Sequence, residues 1–161
     1  MAEWITPIFD RTAGDVSRAI RQISEWTKNG FPSETPDLKG CLNASDLNRI
    51  EGNTAYLSET LTEYGYPSSV ETKTWGRDGL PNRGDVDRVI GNVRSVIESF
   101  YTHPSAPPLP SSMLRYEEIN SIEHNLYLLK ELLDSMIPSF RLSGTIESGS
   151  KTVLPLRRYS R

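Results

Sequence analysis

Three stretches of this chain repeat one arrangement of apolar and polar positions. "DLNRIEGNTAYL" from Asp46, "DVDRVIGNVRSV" from Asp85 and "EINSIEHNLYLL" from Glu118 each place an acid first, aliphatics second, fifth and twelfth, and an Asn eighth. Extended outward, the apolar positions alternate by three and four residues. Leu47, Ile50, Thr54, Leu57, Leu61 and Tyr64 form one seam, and Val86, Val89, Val93, Val96 and Phe100 a second, widened by Ile90 and Ile97. Ile119, Ile122, Leu126, Leu129, Leu133 and Met136 form the third. Such spacing keeps one face of a helix apolar and cannot be satisfied by a strand. A looser version precedes them, with Val16, Ala19, Ile23 and Trp26 on one face and Ile20 beside it.

End signals agree with this pattern. Asp15, Asp46, Asp85 and Glu118 stand where the free amides and dipole of a first turn favour a carboxylate. Arg18, Arg49 and Arg88 follow three residues later, spaced for an ion pair on the same face. Gly30, Gly65 with Pro67, and Pro104 mark stops, and Pro138 ends or bends the last helix. The spacing therefore predicts helices near 13–29, 45–64, 84–101 and 114–137. The expected fold class is all-α, a four-helix bundle-like body over 13–141, with extended arms at 1–12 and 142–161. Asn53, Asn92 and Asn125 fall on the shoulder of each stripe. There a carboxamide bonds a neighbouring backbone or builds a polar ladder that fixes register; separate local hydrogen bonds are the simpler expectation.

The links between the helices are long for a compact bundle and rich in Pro and Gly, as in "GYPSSVETKTWGRDGLPNRG" and "THPSAPPLPSS". Segments of this kind are unstructured or are held against a surface. Trp75, set among charged residues, suits either a partner contact or packing over its own bundle. The aromatic, β-branched "WITPIFD" predicts an extended segment. "SGTIESGSKTVLPL" holds two β-prone runs, Thr145–Glu147 and Lys151–Leu154, consistent with a small hairpin or with one strand and a turn. Extended ends of this kind could pair with each other or with another subunit. The candidate partner interface is Trp4, Ile5, Ile8, Phe9, Trp75, Val153, Leu154, Leu156, Arg157 and Arg158.

Composition changes this picture little. The 161 residues suffice for one hydrophobic core, and a net charge of −3 gives no broad basic face for nucleic acid or an anionic membrane. Four basic residues and no acid lie from Lys151 to Arg161, so a basic tail follows a body of net charge −7. Such a tail is a docking strap for an acidic neighbour or a solvated terminus. Cys41 is the sole cysteine, which excludes an internal disulfide and fits folding in a cytoplasm. No apolar run reaches the length of a membrane span, so membrane insertion is not expected.

Candidate chemistry is sparse. His103 and His124 are too isolated for a metal site, Cys41 has no evident base, and "GTIESGS" matches no phosphate-binding loop. No catalytic, cofactor-binding or metal-ligating residues are assigned, and no cofactor or small-molecule substrate is expected.

One resemblance bears on function. "KGCLNASDLNRIEGNTAYLSETLTEYGY", preceded by "WITPIFDRTAGDV", resembles small proteins and N-terminal modules among the tail and baseplate structural proteins of phages and prophages of Gram-positive bacteria. In that group a "DLNRIE.N…YL" helix follows a "W.TP..DR" opening. "PNRGDVDRVIGNVRSVIESFY" and "SFRLSGTIESGSKTVLPL" are of the same type. The resemblance spans residues 4–156. It implies no catalytic residues and a virion assembly role through contacts with other virion proteins and with copies of itself, after synthesis in the bacterial cytoplasm. The longer receptor-binding part that usually follows in that group is not in this sequence, so direct host binding is not expected. Two other classes remain open: a helical regulatory module binding one host protein, and a virion adaptor contacting nucleic acid through the basic tail.

Overall fold

The computed structural model describes residues 2–77 and 79–149, with side chains as far as Ser139. It is all-α, with helices α1 (Ala13–Asn29), α2 (Ala44–Glu63), α3 (Arg83–Phe100) and α4 (Tyr116–Gly149), and no strand among the described residues. None of these helices is long and apolar enough to cross a membrane.

Each start is built from its own first turn. Asp15 accepts the Thr12 N–H at 2.8 Å, Asp46 the Asn43 N–H at 3.0 Å, and Asp85 the Asn82 N–H at 3.1 Å. Glu118 receives the Leu114 and Arg115 N–H groups, both at 2.9 Å. The leading acid of the repeat thus holds the backbone as it enters the helix, in addition to facing the helix dipole.

The repeated seams build the core. Leu47, Ile50, Leu57 and Leu61 of α2 meet Val89, Ile90, Val93, Val96 and Ile97 of α3. Ile119, Ile122, Leu126, Leu129 and Leu133 of α4 close the cluster, and all of these side chains are buried. α1 contributes none of its residues to this cluster. It buries Asp15 and Ala19, and its backbone at Asp15 and Val16 comes so close to Gly40 that a Cβ there would sit 2.4 Å from the Asp15 carbonyl oxygen. Only glycine allows that approach.

Ring and ion contacts give the direction of the three core helices. Early positions meet early positions, Arg49 with Glu123 and Glu51 with Arg88. Later ones meet later ones: Lys130 lies 5.6 Å from the Tyr56 ring, and the Tyr66 and Phe100 rings are 4.8 Å apart. α2, α3 and α4 are therefore parallel. Parallel helices cannot be joined by tight turns, because the chain must first travel back along the bundle. Returning over a helix of about 30 Å takes roughly nine extended residues, before any turns are added. The long links 64–82 and 101–115 follow from this topology.

The last helix departs from the expectation. Pro138 lies inside α4, and the helix continues to Gly149. Residues 142–149, expected as part of an extended arm, are helical, as is the β-prone run Thr145–Glu147. Once a helix is nucleated, adding a residue is easy, so local β propensity is overridden. The rest of the expected basic arm, with Lys151–Leu154, Leu156, Arg157 and Arg158, lies outside the described residues.

Candidate functional site

The densest group of ionisable side chains lies where the N-terminal segment crosses α2 and α4. Glu123 accepts from Arg49 through both oxygens, Nη2 to Oε1 at 2.7 Å and Nε to Oε2 at 3.0 Å. Arg11 Nη2 reaches the same Oε1 at 3.1 Å and Asp46 Oδ1 at 2.7 Å, and Arg49 Nη2 shares that Asp46 oxygen at 2.5 Å. The Ile8 N–H donates to Glu123 Oε2, and Arg11 Nη1 donates to the Ile8 carbonyl. Two guanidinium groups and two carboxylates thus neutralise one another almost out of contact with water, with Glu123 only 1% exposed. Burial opposes the charge on Asp46, but the Asn43 N–H, Arg49 and Arg11 outweigh it and hold its pKa below the ordinary value.

This cluster belongs to a repeated device. Asn53 grips Ile5, its Oδ1 accepting the N–H at 2.8 Å and its Nδ2 donating to the carbonyl at 2.7 Å. Asn120 grips Arg11 in the same two-way manner. On the next groove Asn92 holds the backbone of Glu71, and Asn48 holds Trp75 with bonds of 2.7 and 3.0 Å. On the third, Asn125 Nδ2 donates to the Pro107 carbonyl at 2.8 Å. A primary amide carries a donor and an acceptor side by side, so it pairs with an extended residue much as a neighbouring strand does. The repeated Asn is a clamp for extended chain. The simpler expectation of separate backbone bonds describes it better than a polar ladder.

The ionic pairs repeat too. Arg at the fourth repeat position reaches Glu at the sixth position of a neighbouring helix: Arg49 of α2 to Glu123 of α4, and Arg88 of α3 to Glu51 of α2 at 2.6 Å. Arg88 therefore does not take Asp85 as its partner, as spacing within the helix suggested; Asp85 pairs with Lys73 at 3.2 Å. In the third groove the same positions are Ser121 and Ile90, so donor and acceptor are absent together. Three parallel helices, each groove crossed by a strap, form a pseudo-threefold body.

The candidate interface residues fall into different settings. Trp75 is 4% exposed, its indole N–H donates to Glu51 at 3.1 Å and Lys73 lies 4.0 Å over its ring, so it is a core strap residue and offers no surface for a partner. Trp4 packs beside Tyr56 at 5.7 Å, and Phe9 stacks on His124 at 4.6 Å. Ile5 and Ile8 point outward and remain exposed. His103 accepts the Ser105 N–H at 3.1 Å in a turn. Cys41 is half-buried; burial first and the Asp46 charge second raise its pKa, which keeps the thiol protonated.

Glu51, Glu123, Arg11, Asn48 and Asn120 were not singled out in the sequence. A signal was present: Glu51 and Glu123 occupy the same repeat position next to the fifth-position aliphatic, where a charge is out of place unless paired.

The cluster sets an expected pH response. The folded Asp46 pKa lies below the ordinary 3.8, so its contribution is full above that value and is lost as pH falls through the folded one, because the unfolded chain takes up the proton first. Asp85 and Glu118 shift the same way, through their first-turn backbone bonds and, for Glu118, chiefly through Ser112. Urea midpoints measured from pH 7 downward should begin to drop near pH 4 and keep falling below it; a midpoint that rises there contradicts the assignment.

A cleft of about 550 Å³ lies beside the cluster, lined by Asp10, Asp37, Lys39 and Ser45 among others, and its polar groups are largely satisfied by one another. The four ionic groups hold a strap in place. Compared with known proteins, the chain matches no family model, no curated protein and no solved structure.

Proposed function

We propose that this chain is a non-enzymatic structural or adaptor protein of a phage tail, neck or baseplate, acting through contacts with other virion proteins and with copies of itself. One observation carries the non-enzymatic part: the ionisable groups most sheltered from water, which is where catalytic groups are usually tuned, are spent on one another and on gripping backbone. The virion setting comes from the resemblance of "WITPIFDRTAGDV" and "KGCLNASDLNRIEGNTAYLSETLTEYGY" to tail and baseplate modules. A strapped, parallel bundle suits that role, since clamped segments resist local opening. Mass spectrometry of gradient-purified particles from a producing lysate tests the assignment. The chain should sediment with tails at a fixed ratio to the other tail proteins. Recovery only from the soluble fraction rejects a virion role.

A further inference from the structure

We infer that α1 is an assembly helix, which joins this chain to two further copies of itself in a parallel three-helix seam. The inference rests on the self-assembling part of the function proposed above and assigns a surface and a number to it.

α1 is a fourth, diverged copy of the repeat. Asp15, Val16, Arg18, Ala19 and Trp26 fall at the acid, second, fourth, fifth and twelfth positions, and Gln22, a longer carboxamide, takes the place of the clamping Asn. The other three copies show what such a helix packs against: two parallel helices of its own kind. Among the described residues α1 has no such neighbours. Its body-facing line is Asp15, Ala19, Gln22 and Trp26. The adjacent line starts at half-buried Val16 and continues through Ile20, Ile23 and Thr27, which face solvent; Ile20 is 62% exposed and Ile23 38%. Phe31, which contacts Trp26 at 6.0 Å, extends this surface past the helix end and is also exposed.

The composition of the outer line selects its occupant. Val16, Ile20, Ile23 and Thr27 follow the four-three-four spacing of a coiled-coil seam, and all four are β-branched. In parallel coiled coils, Ile at both seam positions shifts the preference away from dimers toward trimers and larger assemblies. Ser17 and Ser24 flank the seam on its open side. They are small enough for close approach and place no charge where identical copies would repel. Arg18, Arg21, Glu25 and Lys28 lie on the remaining faces. A helix of 17 residues is marginal as a free peptide, but here it is already formed and capped on a folded body, so association does not bear the nucleation cost.

Light scattering on the full chain across a concentration series tests this. The mass should climb from one to three times 18.1 kDa. Ile20→Asp with Ile23→Asp should stay at one chain mass throughout, with its helix content kept and a melting temperature that, unlike that of the wild type, does not rise with concentration. Ile20→Leu should retain assembly. A limiting mass of two chains overturns the trimer. Assembly that survives the double Asp variant overturns α1 as the surface and leaves self-assembly standing. A wild-type chain monomeric at its highest soluble concentration overturns the inference and self-assembly alike, while the virion assignment is still decided by the particle analysis.

Discussion

Glu123→Ala is expected to be the most damaging single substitution in the bundle. It leaves Arg11 and Arg49 facing each other in a buried site with only the shared Asp46 oxygen as ionic partner, and frees the Ile8 N–H. Removing one partner from a buried ion pair costs about 3–5 kcal/mol, because an uncompensated charge is left out of water. Against a total stability of about 5–15 kcal/mol this is a large fraction. For a chain of this size it corresponds to a fall in Tm of roughly ten degrees. Thermal unfolding followed by circular dichroism measures it directly. The cause can be separated from simple loss of packing. Replacing the group as a unit, Arg11→Met with Arg49→Met, Asp46→Asn and Glu123→Leu, should recover much of the loss, since neutral groups of similar size remove the unpaired charges while the carboxamide at position 46 can still accept the Asn43 N–H. If the single and quadruple variants lose equal stability, charge burial is not what Glu123 controls.

Trp75→Ala is expected to follow closely, at about 3–5 kcal/mol, the range for truncating a large buried aromatic. The indole fills the α2/α3 groove, and its N–H satisfies Glu51, which also receives Arg88 through both of its oxygens. The substitution leaves a cavity beside a buried carboxylate that has lost one donor. Trp75→Phe keeps most of the volume but not the N–H and should fall between wild type and Ala. The experiment also decides what this Trp is for. A core residue loses stability in the isolated chain, as measured by urea unfolding. A surface anchor would leave unfolding unchanged and alter only association.

The two substitutions act on equivalent parts of one design. Glu123 and Glu51 hold the same repeat position, and each receives the Arg of a neighbouring helix while a strap crosses above. Strength in this protein therefore resides in the grooves as much as in the apolar seam. The α3/α4 groove differs, with Ser121 and Ile90 in place of the pair. There the strap is clamped by Asn125 and by the burial of Met113.

The helices themselves were legible in the residues. Spacing by three and four, an acid in the first turn and Gly or Pro beyond the end are local properties, and they located α1, α2 and α3 to within a residue or so of each end. The seam residues of α2, α3 and α4 were legible for the same reason, because an apolar stripe must be buried somewhere. The continuation of α4 past Pro138 was not, since a proline reads as a stop unless the surrounding helix is strong enough to carry the chain through it.

What only the tertiary structure decided is which faces meet. Periodicity says that a helix has an apolar side but not whether its neighbour runs parallel or antiparallel, so the long links looked like loops in need of a partner. Their need is met by Asn48, Asn92 and Asn125, and that of the N-terminal segment by Asn53 and Asn120, whose amides substitute for a second strand. The pairing of Arg49 with Glu123 joins residues 74 positions apart. Local spacing pointed to the acid three residues away, which Arg49 also holds, but no local rule could add that distant partner. Likewise α1 carries nearly the pattern of its three relatives, yet its outer stripe lies in solvent, because three parallel helices with a strap in each groove already close the core and leave no place for a fourth.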